Sequence, residues 1–525
     1  MRFLNIKMSK TIENKNNNRI ANSVKNMSFG MMYQMMYLLL NFVVRFSIIK
    51  FLGVTALSLN SLFTEVLGVL SLAEMGVGTA ITYSLYKPLA EDDRTQIVKL
   101  MNFFKRAYHL ITAFMLVVGL ALIPLLPYIV TKVDVNNTYL ILIYVLFLLQ
   151  TCVSYINSHK ALLLVADQKT WVQAKINLIV RGLFFLGSLF IIIVIKNFTL
   201  YVCNEVLYNA VFYFTVAKVA DKMYPYLNGK DKLSKQETKE IMTSVRQTFV
   251  GKLSNRILNS TDNILISILV GTNLVGVYSQ YSMFVNGFLR LFSQVNESVV
   301  GSIGNIIAVE SKSKSKETFN RLNYIFFAMG SFCSICLFAG INPFLTGIVG
   351  KNYLLENSIL VMVVINMFFE TFKMPLWTYF TAAGLFKYEQ KISLVGCIIN
   401  VITSIILGKL YGMLGIFIGT FISLLYMFIN KMIILDQNHF ESESKELTTS
   451  TIKYMSVFVV ELIITYFVCY KAPLDINSAF IEFAIKVLIG GAISCVMSGL
   501  LFVKTDEFKY LKWQINKGIN KIFQK

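Results

Sequence analysis

Apolar residues in this chain come in runs of about 20 to 30 with no polar alternation, each closed by a short cluster of charged or turn-forming residues. A helix that crosses a bilayer needs about 20 mostly apolar residues at 1.5 Å rise each. On that rule the pattern predicts helices near 29–51, 55–85, 99–127, 137–159, 170–194, 198–219, 245–270, 274–304, 321–348, 354–383, 389–408, 411–433, 452–470 and 478–502. The expected fold class is an all-α polytopic membrane protein with about fourteen transmembrane helices.

Composition agrees with that reading. Of 525 residues, 55% are hydrophobic and only 15% charged, against about a quarter charged in ordinary soluble domains. The net charge of +20 would raise nucleic-acid binding in a soluble protein, but here the cations sit in the connectors. With the N-terminus inside, the connectors 1–28, 86–106, 160–169, 218–246, 305–321, 384–391, 431–453 and 503–525 hold 35 Lys and Arg; the opposite set holds Lys50, Lys132, Lys196, Lys351, Lys409 and Lys471. That asymmetry predicts cytoplasmic termini, membrane lipid as the partner of the basic loops, and no nucleic acid. The run from Phe29 to Gly53 exceeds a signal-peptide core and lacks a small-x-small cleavage pattern, so an uncleaved first helix is expected.

Candidate enzyme chemistry is sparse. The seven cysteines lie inside apolar runs, the Cys333/Cys336 pair included, and His109, His159 and His439 are far apart, so no metal site is expected. No P-loop, HExxH or GxSxG motif occurs, and the outer connectors leave little room for a catalytic domain. The chain is therefore expected to be no enzyme, with neither cofactor nor metal.

The chain also repeats. Gly53 closes the first helix in FLGVTALSLNSLF and Gly271 closes the seventh in LVGTNLVGVYSQY, an offset of 218 residues that carries spans two to five onto eight to eleven. Gln168-Lys169 and Gln390-Lys391 each enter an apolar helix with an Asn further on, Asn177 and Asn400. Six spans per half is even, so the halves share one orientation and a pseudo-twofold axis along the membrane normal is expected. The implied organisation is a cytoplasmic segment 1–28, a six-helix lobe 29–220, a cytoplasmic linker 221–247, a second six-helix lobe 248–433, a loop 434–451, two extra C-terminal helices 452–502 and an amphipathic tail 503–525. In the tail, Phe508, Leu511, Ile515, Ile519 and Ile522 recur at helical spacing between lysines, the pattern of a helix lying on the inner leaflet.

An ionisable group at mid-bilayer costs about 2.5 to 3.5 kcal/mol even on lenient scales, so its neighbours matter. Gln34, Asn41 and Arg45 share a face of the first helix; Asn60, Thr64, Ser71 and Glu74, with Glu65 beside them, stripe the second. Lys252, Arg256, Asn259 and Asn263, with Asp262 beside them, stripe the seventh, and Asn286, Arg290, Gln294 and Glu297 the eighth. These are the first two helices of each half. A hydrated cavity between the halves accounts for the placement, and Arg45, Lys252, Arg256 and Arg290 would make it suited to an anionic, phosphate-bearing ligand. The competing reading pairs each cation structurally with Glu65, Glu74, Asp262 or Glu297. Lys175, Lys373 and Lys486, nearer helix ends, are expected to snorkel, and Arg181, Glu205, Glu370 and Glu461 fall on no stripe and acquire no role.

Residues 70–93, LSLAEMGVGTAITYSLYKPLAEDD, resemble the motif after the second helix of bacterial Wzx-type polysaccharide flippases: an acidic residue, then Gly-x-Gly, before a small-residue run and a charged cytoplasmic loop. Here these are Glu74, Gly76 and Gly78. Residues 260–281, STDNILISILVGTNLVGVYSQY, similarly resemble that family's seventh helix and the entry to its eighth. The family belongs to the multidrug/oligosaccharidyl-lipid/polysaccharide export (MOP) superfamily. The resemblance implies a flippase of the bacterial cytoplasmic membrane that moves an undecaprenyl-pyrophosphate-linked oligosaccharide from inner to outer leaflet by rocking its lobes, coupled to H+ or Na+. A polysaccharide polymerase and glycosyltransferases of the same pathway would be its partners. In that setting Arg45, Lys252, Arg256 and Arg290 would bind substrate, and Glu65, Glu74, Asp262 and Glu297 would counterbalance them or carry the coupling ion. A cation-coupled multidrug exporter of the same fold, or a membrane polysaccharide polymerase, remain the alternatives.

Overall fold

A computed structural model of the chain describes residues 2–74, 77–229, 231–440, 445–471 and 478–523; the side chains of 2–24, 27, 72–73, 228, 244, 247–259, 445–448, 515 and 517–523 also lie outside the described part. Among the described residues every regular element is helical. Contacts cluster into two compact units, Met1–Gly276 and Val277–Lys525.

Unit 1 holds α1 (Arg2–Leu52), α2 (Val54–Leu70), α3 (Val77–Glu91), α4 (Arg94–Ala121), α5 (Leu126–Ile129), α6 (Asn137–Ile156), α7 (Ser158–Ala166), α8 (Thr170–Phe190), α9 (Phe198–Met223) and α10 (Lys235–Leu265). Helix α6 packs against α4 and α9, α1 against α8, and α10 against α2 and α3. Tyr144 of α6 is fully buried and donates its hydroxyl to the Gly119 carbonyl of α4 at 2.9 Å, while the ring of Phe63 from α2 packs edge-on against it. The second expected span is not one helix: α2 ends in a 3-10 turn at Ser71–Glu74, and α3 starts afresh at Val77. Uniform hydropathy hid that break. The change from α-helix to 3-10 turn comes at Ser71–Glu74, just ahead of the Gly-x-Gly of the motif. Helix α10 begins ten residues before its apolar run because Ser234 and Glu237 close a capping box at its start.

The first turn of the next helix, from Thr272 to Gly276, folds back on the same unit. Thr55 donates to the Asn273 side chain at 3.1 Å, the Gly276 amide donates to Ser58 Oγ at 3.0 Å, and the Thr131 amide donates to Thr272 Oγ1 at 2.9 Å. A Cβ on Gly276 would strike Ser58 Oγ and stand 2.9 Å from the Val54 carbonyl, so only glycine permits this approach.

In chain order α11 (Thr272–Val309) runs into unit 2, followed by α12 (Lys312–Val349), α13 (Asn357–Phe372), α14 (Met374–Ala382), α15 (Phe386–Leu435), α16 (Lys445–Tyr466), α17 (Ala479–Phe502) and α18 (Asp506–Phe523). Helix α12 is the hub, meeting α13, α16, α17 and α18. The two C-terminal spans α16 and α17 are built into this core: Phe458 stacks on Phe368 at 3.9 Å, Tyr454 stacks on Phe327 at 4.7 Å, and Phe502 packs on both Phe327 and Tyr454. Small residues bring α12 and α17 close, a Cβ on Gly490 standing 3.2 Å from the Ile335 carbonyl. The tail is a helix as expected, anchored where Phe508 meets Tyr324 at 6.4 Å and where Arg321 lies over the Tyr510 ring at 4.7 Å.

The repeat is written in the backbone. Positive φ occurs at Gly53 and Gly271, and again at Lys132 and Gly350, each pair 218 residues apart; Gln168 with Gly384, and Lys196 with Gly412, follow at 216. Helix N-caps Asp93 and Ser311 keep the 218 offset. Asn177 accepts from Tyr208, and Asn400 donates to Thr420, so each of the echoed asparagines bonds to the span that follows its own.

Nine helical stretches among the described residues are long and apolar enough to cross a membrane. The longest, Phe386–Phe440, is two spans joined at Gly412, whose φ of 62° and ψ of −137° interrupt α15. The remaining spans lie in α2 with α3, α9, α10 and α11, where Val54–Leu70 and Ser260–Val270 are apolar but short; the protein is a multi-pass membrane protein of about fourteen spans.

Candidate functional site

The polar stripes divide between the two units. In unit 1, Arg45 of α1 is half-buried and within electrostatic reach of Glu65 on α2, Tyr37 on its own helix and Tyr201 on α9. Glu65 also accepts a hydrogen bond from Ser260 of α10 at 2.9 Å. Three helices thus deliver one cation, one carboxylate and one hydroxyl to one place. Asp262, one helical step on from Ser260, is half-buried and engaged in a polar interaction of its own. Lys252 and Arg256 belong to α10, and their side chains lie outside the described residues.

Glu74 is engaged from another helix. Its Oε1 accepts the Tyr108 hydroxyl of α4 at 2.8 Å, and a Cβ on Gly78 would stand 2.8 Å from the same oxygen and 3.2 Å from Tyr108 Oη. Gly78 therefore leaves room for the carboxylate to be received by Tyr108. Gly76 lies outside the described residues.

In unit 2, Asn286, Arg290, Gln294 and Glu297 are all exposed on α11, at the i, i+4, i+8 and i+11 positions of one face. Arg290 and Glu297 form no ion pair among the described residues. A face carrying a guanidinium and a carboxylate cannot remain against hydrocarbon, so it must meet water or another polar surface.

Several intramembrane charges without a stripe turn out to be paired. Arg181 and Glu205, 7% and 8% exposed, join α8 to α9 at 2.6 Å; Tyr208 offers its ring to the guanidinium at 4.6 Å, and Ser188 donates to the other carboxylate oxygen at 3.3 Å. Glu461 on α16 is fully buried, bonded by the Ser331 hydroxyl of α12. Lys431 reaches Glu389 at 2.7 Å within α15's two arms. Of the lysines expected to snorkel, Lys486 instead lies buried, bridged at 2.7 Å to Glu482 one turn earlier and over the Tyr470 ring at 5.2 Å. Lys373 is bridged to Glu370 at 2.7 Å. Spacing within a single helix offers no signal for the cross-helix pairs; the i, i+4 relation of Glu482 to Lys486 was readable.

A multi-pass helical protein with polar stripes on chosen spans is the class that these features define. No protein-family model matches the chain, and no curated protein matches it in sequence. Solved structures do match. A lipid II flippase MurJ in an inward closed conformation superposes with a TM-score of 0.65 at 15% identity, covering 91% of this chain and 99% of that one. An inward-facing multidrug resistance MATE family transporter of the MOP superfamily gives 0.59 at 15% identity over 75% and 94%. A MOP superfamily transporter from Pyrococcus furiosus, described with a binding pocket of reverse polarity, gives 0.50 at 15% identity over 81% and 96%. The chain has the fold of MOP superfamily transporters.

Proposed function

We propose that this protein is a flippase of the bacterial cytoplasmic membrane, moving undecaprenyl-pyrophosphate-linked polysaccharide repeat units from the inner to the outer leaflet by alternating access, with both termini cytoplasmic. The observation that carries the reading is the exposed stripe on α11, where Arg290 stands without an ion-pair partner among the described residues. A planar guanidinium that is neither neutralised nor shielded from water is suited to a phosphate oxygen pair. In this account Arg45, Lys252, Arg256 and Arg290 bind the pyrophosphate or acidic sugars, and Glu65, Asp262 and Glu297 counterbalance them or carry H+ or Na+. Glu74, already engaged by Tyr108, takes the second of these roles through a proton shared with that hydroxyl. A polymerase and glycosyltransferases of the same pathway act on either side of the step.

The test is deletion of the gene followed by analysis of lipid-linked intermediates. Complete repeat units accumulate on the cytoplasmic leaflet, and Arg290→Ala or Arg45→Ala at normal protein level fails to restore export. Normal surface glycan in the deletion strain refutes the function, while full restoration by a variant removes that residue from the site. The MATE neighbour favours one second reading, multidrug export. Under that reading the deletion leaves lipid-linked intermediates unchanged and sensitises cells to cationic drugs, whose binding draws on acidic and aromatic groups.

A further inference from the structure

Away from the stripes, unit 1 encloses a cleft of about 510 Å3 where α4, α7 and the end of α9 come together. Among the described residues, neither Arg45 and Arg290 nor Glu65, Glu74, Asp262 and Glu297 lines it. Its wall is built from one face of α4, where Asn102, Lys105, Arg106 and His109 follow at i, i+3, i+4 and i+7. Helix α7 adds His159 and Lys160, and the segment after α9 adds Lys232. That segment is pinned across the opening by Asn102, whose amide donates to the Gly229 and Asp231 carbonyls at 2.8 and 3.0 Å.

Charge and hydrogen bonding both leave this cleft incomplete. Asp221, the carboxylate among its described lining residues, is taken by Lys160 at 2.7 Å. Lys105, Arg106 and Lys232 are exposed and have no carboxylate partner among the described residues. His159 is only 3% exposed, lines the cleft, and its Nδ1 is buried without a hydrogen-bond partner. Three unneutralised cations around a single engaged carboxylate suit the cleft to an anionic ligand. The volume exceeds what a bare phosphate fills and falls in the range of about 300 to 1,000 Å3 typical of small-molecule sites.

We propose that this cleft is a binding site for a phosphorylated sugar-sized group, received at the inner-leaflet side and separate from the intramembrane stripes. Arg106 and Lys105 hold the phosphoryl oxygens, Lys232 closes from the pinned segment, and His159 forms part of the wall. The positive-inside arrangement places the cleft on the cytoplasmic side, where such groups are available either as soluble sugar phosphates or as the head of a polyprenyl lipid. Binding here does not require that the protein transport anything.

Full-length protein in neutral phosphatidylcholine nanodiscs is titrated with glucose 1-phosphate and, separately, with undecaprenyl pyrophosphate incorporated in the disc. Wild type binds at least one probe, and Lys105→Ala/Arg106→Ala and Lys232→Ala each weaken that binding about tenfold or more per ionic hydrogen bond removed. Raising salt from 0.1 to 1 M weakens it further, and Lys239→Ala on α10, outside the cleft, leaves it unchanged. Binding of the lipid alone identifies a membrane head group as the ligand; binding of both identifies the phosphorylated group itself, whatever carries it. No binding of either probe to wild type, or equal affinity in the wild type and both variants, overturns the proposal. Export measured with Arg290→Ala reads the transport reaction independently, so either conclusion can fail without the other.

Discussion

Replacing Glu205 with Leu should unfold this protein more readily than almost any other single change in unit 1. The Arg181 guanidinium and the Glu205 carboxylate meet at 2.6 Å, with side chains 9% and 11% exposed. At an effective dielectric near 20 that separation corresponds to about 6 kcal/mol of gross attraction. The substitution forfeits it and strands a charged group between α8 and α9, with only the Tyr208 ring and no hydrogen-bond partner for Nε. Removing one partner of a buried pair typically costs about 3 to 5 kcal/mol, whereas exchanging both for apolar groups is close to neutral. The assay is reversible denaturation in detergent micelles, comparing wild type, Glu205→Leu, Arg181→Met and the double variant. The single variants should fall by about 3 to 5 kcal/mol and the double variant should recover most of the loss. A Glu205→Leu protein as stable as wild type, or a double variant no better than either single, would show that this pair is not what joins the two helices.

Three further outcomes follow from named contacts. Gly78→Ala pushes a Cβ into the Glu74 carboxylate and Tyr108 hydroxyl, and should lower stability by about 1 to 3 kcal/mol, as should Tyr108→Phe; unchanged denaturation midpoints in both variants would contradict the hydrogen bond. Thr55→Cys/Asn273→Cys should form a disulfide under mild oxidation, read as a mobility shift after cleavage between the two positions, since the native side chains are 3.1 Å apart; absence of the cross-link with oxidant present would count against the 218-residue contact. Hydrogen bonds from the Ser234 side chain and backbone, then from Gln96, hold the exposed Glu237 carboxyl down to about 2 from an ordinary 4.5. Its capping contribution is therefore fully present above pH 4.5 and disappears as pH falls through about 2. Amide exchange of residues 234–238, corrected for intrinsic rate, should stay flat from pH 7 to 5 and rise only below 4.5; a rise already at pH 6 would refute it.

The spans were legible because hydrocarbon selects so strongly on composition that length and hydropathy suffice. Where the sequence misled, the cause was local. Residues 55–85 read as one helix because Leu70 to Ala73 are as apolar as their flanks, yet Glu74 draws the chain into a 3-10 turn to reach Tyr108, a partner 34 positions away. The start of α10 at Lys235 follows from a capping box, a signal present in the letters of Ser234 and Glu237 but ahead of the apolar run that marks the span. The repeat was faint in side chains and plain in the backbone. Turns demand a left-handed residue at fixed points in a helical hairpin, and Lys132 or Lys196 can supply it as glycine does in the other half.

Candidate-site charges divide along a physical line that periodicity partly anticipates. An isolated charge in a span needs a polar partner where it stands: Arg181 and Lys486 are each found against a carboxylate, and Glu461 against the Ser331 hydroxyl. Charges repeated down one face cannot all be neutralised by one neighbouring helix without an equally long complementary stripe. They survive by lining a polar surface, and on α11 the whole set from Asn286 to Glu297 is exposed. On α11 recurrence at helical spacing marks an exposed polar face, whereas Arg181 and Lys486, which fall on no stripe, each lie against a carboxylate. The exception is Glu74, a stripe member by spacing that Tyr108 and Gly78 have drawn out of line; its partner lies on α4, and no pattern within its own helix could have named it.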